Sequence, residues 1–166
     1  MAEWPEFRPR ALLERLVAGD VEFVVIGGLA AVVHGSATVT RDLDVVYAAD
    51  PANLDRLGEA LVALGARLRG VTDDVPFVPD GRTLRRTRVL TLDTLDGRLD
   101  LLAQPDGSPP YERLRERALR VDLAGIEVQV ASLDDLIAMK KAAGRPKDLV
   151  AVEELEAIQR LQRERG

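Results

Sequence analysis

Asp42 and Asp44 stand two residues apart in the run Asp42-Leu43-Asp44-Val45. That spacing is the period of a β-strand, so both carboxylates project from one face while Leu43 and Val45 project from the other. A third acid, Asp100, lies between Leu99 and Leu101 in a second strand-like run, among apolar neighbours that a purely solvated acid would not need. If the two strands are neighbours, three carboxylates converge. Hard divalent cations prefer oxygen ligands, and two such ions clamp the attacking and leaving oxygens of an in-line displacement at phosphorus. One Asp can double as the base that accepts a hydroxyl proton. The spacing alone is equally that of the wet face of a half-exposed strand, with Asp100 as a turn-flanking acid.

Two further features favour phosphate chemistry. Gly27-Gly28 separates the β-branched run Val21 to Ile26 from a helical stretch, Leu29 to His34. Glycines at such a turn let backbone approach a phosphate closely, and the following helix offers free N–H groups; by itself the pair is also a plain strand-to-helix turn. The second feature is lysine usage. The chain holds 20 arginines but three lysines, at 140, 141 and 147. At helical spacing Leu133, Leu136, Ile137 and Lys140 share one stripe, with Lys141 toward its edge. A lysine centred on an apolar face either snorkels or serves an anion as a compact point charge. The competing reading is a basic helix C-terminus that complements the dipole, and Asp148, in the first turn of the final helix, has a dipole role of its own.

The run Ile26-Gly27-Gly28-Leu29-Ala30, then His34-Gly35, Thr40 and Asp42-Leu43-Asp44-Val45, resembles the signature of the DNA polymerase β-like nucleotidyltransferase superfamily, in particular its small bacterial members grouped with abortive-infection toxins. In that superfamily a Gly-Gly or Gly-Ser turn leads to an acidic pair on the next strand, and a later strand supplies a third acid, as Asp100 does in Leu99-Asp100-Leu101-Leu102. Leu136-Ile137-Ala138-Met139-Lys140 followed by Arg145-Pro146-Lys147-Asp148-Leu149 is similar to the "Lys, then Arg-x-Lys-Asp" element of these relatives, whose lysine approaches the triphosphate. The resemblance covers Val24 to Val46 tightly and Arg98 to Leu155 more loosely. It implies an α/β (α+β) nucleotidyltransferase fold, a small mixed β-sheet flanked by helices with two C-terminal helices. It also implies Asp42, Asp44 and Asp100 as catalytic and metal-holding residues, and Gly27, Gly28, Arg41, Lys140 and Asp148 as nucleotide-binding ones. Mg²⁺ or Mn²⁺ would be the metal and a nucleoside triphosphate the donor. Relatives often carry arginine where this chain has Thr38; Arg41, three residues on, is the candidate to compensate. His34 matches the family's His-Gly, yet reads as a structural or loop residue rather than a base.

The elements that must position these residues follow from periodicity. Arg10 to Ala18 has helical spacing and stops at Gly19; Val21 to Ile26 is a buried strand, Asp42 to Tyr47 a second, and Asn53 to Leu64 a helix behind Pro51. Arg86 to Leu92 and Arg98 to Leu102 form a hairpin about Asp96-Gly97, and Ala118 to Leu123 and Ile126 to Val130 another about Ala124-Gly125. Ser132, with Asp135 three positions on, caps a helix from Leu133 to Ala143; Gly144 to Pro146 breaks it before a last helix, Lys147 to Leu161. Asp73 to Gly81 and Pro105 to Pro110 read as loops. One domain is expected over 1–166, with a core of about 10–130 and a helical element of about 132–163.

Composition narrows the chemistry. Hydrophobic residues at 46% and charged residues at 31% describe a globular chain, not a disordered or membrane one. No apolar run reaches bilayer length and Met1 to Arg10 lacks a signal-peptide core, so a cytoplasmic protein is expected. With no cysteine and a single histidine, thiolate and histidine-rich zinc sites are excluded, which leaves carboxylates for any metal. The net charge of −5 argues against indiscriminate nucleic-acid binding. Locally, Arg67, Arg69, Arg82, Arg85, Arg86 and Arg88 outnumber Asp73, Asp74 and Asp80. Of the acceptors the resemblance implies, RNA (a tRNA end included), a partner protein, an aminoglycoside or a lincosamide, RNA or a protein is the expected one, because these arginines would hold a phosphate backbone and repel a cationic aminoglycoside. A solvated arginine face is the plainer account of them. Two other readings compete with the enzyme: a catalytically silent domain serving as one half of a toxin-antitoxin pair, and an RNA-binding domain built on these arginines.

Overall fold

The computed structural model describes residues 5–71 and 77–166. Asp73 and Asp74 lie outside the described residues. The chain begins with helix α1 (Pro9–Ala18), strand β1 (Phe23–Ile26), helix α2 (Gly27–Val33), strand β2 (Asp42–Tyr47) and helix α3 (Pro51–Ala63). Strand β3 (Arg67–Leu68), helix α4 (Gly81–Arg86), and the β4 (Val89–Thr94) and β5 (Gly97–Leu102) hairpin follow. Helix α5 (Tyr111–Arg117), the hairpin of β6 (Leu119–Leu123) and β7 (Ile126–Val130), and helices α6 (Leu133–Ala143) and α7 (Pro146–Arg165) complete it. Among the described residues no helix is long and apolar enough to cross a membrane.

Local chemistry sets most boundaries. Asp50 accepts the Asn53 N–H at 3.1 Å, with Pro51 opening α3; Ser132 likewise caps α6 through the Asp135 N–H at 3.1 Å. Gly144 closes α6 in the left-handed conformation at φ 65°. Ala124 and Gly125 both have positive φ, the requirement of the two-residue turn that joins β6 to β7.

All seven strands form one mixed sheet in the order β3-β4-β5-β2-β1-β7-β6. β2 is antiparallel to β1 and parallel to β5, so the two hairpins read from the sequence lie at opposite ends, joined through β2 and β1. Leu43, Val45, Leu99 and Leu101 are fully buried on one side of β2 and β5. The fully buried leucines of α1 (Leu12, Leu13, Leu16) and α3 (Leu57, Leu61) belong to the same core. Alternation then forces Asp42, Asp44 and Asp100 onto the other side.

Three expectations need correction. Arg82, Arg85 and Arg86 lie on a short helix, α4, whose cap is Asp80 accepting the Thr83 N–H at 2.8 Å, and the strand expected from Arg86 starts at Val89. The alternation of Arg86 to Leu92 hid a helix end, because Leu84 alone is buried and one buried residue carries no period. Helix α5, right after the Pro105 to Pro110 loop, and the two-residue strand β3 add to the expected elements; both are too short to show periodicity in sequence. Helix α2 starts at Gly27 rather than Leu29, which puts both glycines inside its first turn.

Candidate active site

Register brings the acids together. Asp44 is directly opposite Asp100 across the parallel β2–β5 pair, and Asp42 is opposite Arg98. The Asp44 carboxyl is hydrogen-bonded to that of Asp100, and its pKa is raised to about 7 by burial, then by the Asp100 charge and this hydrogen bond, then by the Asp42 charge, with Lys140 opposing. Two carboxylates forced together hold a proton that separate ones would release. Asp42 Oδ1 is buried without a hydrogen-bond partner. Leaving a carboxylate oxygen unpaired is costly, so this atom is open to a partner from outside the chain, as are Gln129 Oε1 and Asp135 Oδ2 away from these acids. The three acids share one face of β2 and β5, and among the described residues no group of three acidic, histidine or cysteine side chains is close enough to hold a metal ion by itself.

Gly27 and Gly28 pack beside these acids. Gly27 has φ +70°, and a Cβ there would collide with the Asp44 carboxylate; one on Gly28 would stand 2.8 Å from Thr40 Oγ1. The pair is therefore required by close contact between α2 and the acidic strand, whatever else it does. Thr40 in turn donates to the Asp42 carbonyl at 3.0 Å.

A cavity of about 520 Å³ opens beside Asp44 and Gly27. Lys140, Arg145 and Arg88 line it, together with apolar Leu102, Met139 and Val89. Asp148, 1% exposed, organises two of these cations. It accepts from Lys140 Nζ at 3.3 Å and from Arg145 Nε at 2.6 Å, and its Oδ2 also accepts the Arg145 backbone N–H at 3.2 Å. The Arg145 hydrogen bond, outweighing burial and aided by Lys140, holds the Asp148 carboxyl at about 2. The helical stripe is as expected: Leu133, Leu136 and Ile137 are buried and Lys140 faces the cavity, whereas Lys141 pairs with Glu156 of α7 at 2.9 Å. The cavity thus sets a cationic wall and an apolar wall beside one of the three acids, Asp44, while Asp42 and Asp100 are not among its lining residues.

Other expected residues lie elsewhere. Arg41 is exposed ahead of β2 and is not part of the cavity wall. His34 is structural, its Nε2 bonded to the Ala131 carbonyl at 2.9 Å, which ties the end of α2 to the end of β7. Thr38 is exposed and donates its N–H to Ser36 Oγ at 3.1 Å, and Ser36 in turn bonds Glu154 of α7. Of the arginine-rich segment, Arg88 reaches the cavity and Arg69 reaches Asp100, while Arg82, Arg85 and Arg86 are exposed. Beyond the expected nucleotide-binding residues, the cavity adds Arg145, which opens the Arg-x-Lys-Asp element, and Arg88, which belongs to the arginine-rich segment expected to meet the acceptor.

A family model described as "Nucleotidyl transferase AbiEii toxin, Type IV TA system" matches residues 10–150. No curated protein matches the sequence significantly. Among solved structures, lincomycin-bound lincosamide antibiotic adenylyltransferase LnuA aligns over 92% of this chain and 99% of its own, with a TM-score of 0.61 and 14% identity. ANT(2")-Ia in complex with adenylyl-2"-tobramycin aligns over 94% and 95%, with a TM-score of 0.54 and 15% identity. An antigenic nucleotidyltransferase-like protein from Paracoccidioides brasiliensis aligns over 91% and 73%, with a TM-score of 0.51 and 16% identity. At such identities these likenesses establish a shared fold.

Proposed function

This chain belongs to the AbiEii nucleotidyl transferase toxin family, and on that premise we propose that it moves a nucleoside monophosphate from a nucleoside triphosphate onto a hydroxyl of RNA or of a partner protein, with Mg²⁺ or Mn²⁺, in a toxin-antitoxin setting. The observation that carries the reading is the shared face of Asp42, Asp44 and Asp100 on β2 and β5, with Gly27 packed against Asp44 and Asp42 Oδ1 buried and unpaired. Carboxylate oxygens are the donors that Mg²⁺ and Mn²⁺ select, and Asp42 and Asp44, with Asp100, would hold the ion. Bound there, it would neutralise charge on the phosphates and on the attacking and leaving oxygens.

The chain's own groups account for the rest. Lys140 and Arg145, steadied by Asp148, offer positive charge to the triphosphate along the cavity wall, with Arg88 on another side. Leu102, Met139 and Val89 offer an apolar surface to the nucleoside. The acceptor oxygen attacks the α-phosphorus, the bond from that phosphorus to the bridging oxygen breaks, and pyrophosphate leaves. One of the three aspartates would take the hydroxyl proton, and Asp100, opposite Asp44 in register, is the one we assign. Arg88 on the cavity wall favours an acceptor that carries phosphate or carboxylate groups over a polycationic aminoglycoside. A nucleoside triphosphate donor fits a cytoplasmic site of action.

The test incubates the protein with each α-labelled triphosphate, Mg²⁺ or Mn²⁺, and a cell extract, and asks which molecule becomes labelled. Asp42→Asn, Asp44→Asn and Asp100→Asn are each expected to cut labelling on the order of 10³-fold with the fold retained. Near-normal turnover in any one removes that residue from the mechanism. Labelling of an aminoglycoside in preference to RNA or protein overturns the acceptor assignment.

A further inference from the structure

Arg69 lies just beyond β3, two strands away from Asp100, yet its Nη2 donates to Asp100 Oδ1 at 2.9 Å. The same nitrogen donates to the Leu92 carbonyl at 2.9 Å, Nε donates to Asp93 Oδ1 at 3.3 Å, and the Arg69 backbone N–H donates to the Thr91 carbonyl at 3.0 Å. The side chain is only 20% exposed. A guanidinium held at so many points by β4 cannot follow Asp100 if that carboxylate turns, so the ion pair fixes Asp100 rather than the reverse. Arg69 holds Oδ1, and the same carboxyl also meets that of Asp44 across the strand pair.

We propose that Arg69 is a positioning residue for nucleotidyl transfer. It sets the orientation of Asp100 and acts as a resident counter-ion that an incoming divalent cation must share. The inference rests on the reading of Asp42, Asp44 and Asp100 as the cation site. Its physical basis is a trade: one positive charge beside the acids relieves their mutual repulsion and fixes Asp100, but the same charge lowers the attraction of the site for a cation. That trade has a signature which loss of structure does not share. Arg69→Met should bind Mn²⁺ more tightly, because a competing cation is gone, and still turn over more slowly, because Asp100 is no longer aimed. A variant that merely loosened the sheet would bind Mn²⁺ more weakly and turn over more slowly.

The experiment measures Mn²⁺ binding to the nucleotide-free full chain by electron paramagnetic resonance, and label transfer from α-labelled triphosphates into total cellular RNA and protein. For Arg69→Met the expected results are Mn²⁺ affinity raised about fivefold or more, kcat lowered about tenfold or more, and KM for the triphosphate within about twofold of the native value. Arg69→Lys restores the charge without the fork, so Mn²⁺ affinity should return to native while kcat recovers in part. Asp93→Asn, which loosens an anchor of Arg69 and leaves the ion pair with Asp100 in place, should lower kcat to a smaller extent; it serves as the second variant if Arg69→Met does not fold. Asp44→Asn is the control for the underlying site. If it binds Mn²⁺ as the native chain does, the cation site is wrong and this inference falls with it. If it loses Mn²⁺ while Arg69→Met binds Mn²⁺ no more tightly than native, or keeps native kcat, the site stands and the role of Arg69 is refuted.

Discussion

Asp44→Asn should stabilise the metal-free protein even as it removes activity. The Asp44 carboxyl, raised to about 7 by burial and by Asp100 and Asp42, is a group whose folded pKa lies above its ordinary 3.8. The native state therefore holds a proton that the unfolded chain has released across that interval, and stability falls as pH rises through it. The favourable contribution is complete below about 4 and is lost once the pH passes about 7. At about 1.4 kcal/mol per pH unit, the interval from 3.8 to about 7 sets a ceiling of about 4 kcal/mol. Asparagine escapes the repulsion but fits the carboxyl–carboxylate contact less well, which takes part of the gain back and leaves about 2 kcal/mol at pH 8. In a chain of this size that is about 4–8 °C in melting temperature. The assay is thermal unfolding in a chelator between pH 5 and pH 9. The native chain should lose stability toward pH 8, Asp44→Asn should lose much less, and the two curves should meet near pH 5. If Asp44→Asn melts at or below the native temperature at pH 8, the account of Asp44 as a strained, crowded carboxyl is refuted.

Lys140→Ala is expected to raise KM for the triphosphate about tenfold or more, while Lys141→Ala changes it less than about twofold, because only Lys140 faces the cavity and Lys141 is spent on Glu156. Equal effects in steady-state kinetics would mean that both lysines only complement the helix dipole. Asp148→Ala should cost about 2–3 kcal/mol in urea unfolding at pH 7 and weaken triphosphate binding, since a buried acid that serves two cations is removed. Because its carboxyl is held at about 2, the Asp148 contribution is present above the ordinary carboxylate pKa and fades as pH falls through about 2; the native and alanine proteins should converge in stability in strong acid.

Much of the site is legible in local sequence because its geometry is local. Asp42 and Asp44 share a face by strand alternation alone, Ser132 and Gly144 bound α6 by capping chemistry, and Lys140 is turned inward by the stripe of Leu133, Leu136 and Ile137. None of these needs a distant partner. The glycine pair was legible as a turn, although its packing against Asp44 and Thr40 was not. Tertiary structure decided everything that depends on strand order. Asp100 joins the pair because β5 lies parallel to β2 with Asp100 opposite Asp44, a register that side-chain period narrows to one face but leaves free to slide by two residues. Arg69 is on the Asp100 carboxylate because β4 stands between β3 and β5, and Arg88 reaches the cavity because β4 begins beside the end of β5, where Val89 is opposite Leu102. Long-range pairing leaves no periodic trace in the chain. An arginine bound to a carboxylate 31 residues away reads in sequence like any other surface charge.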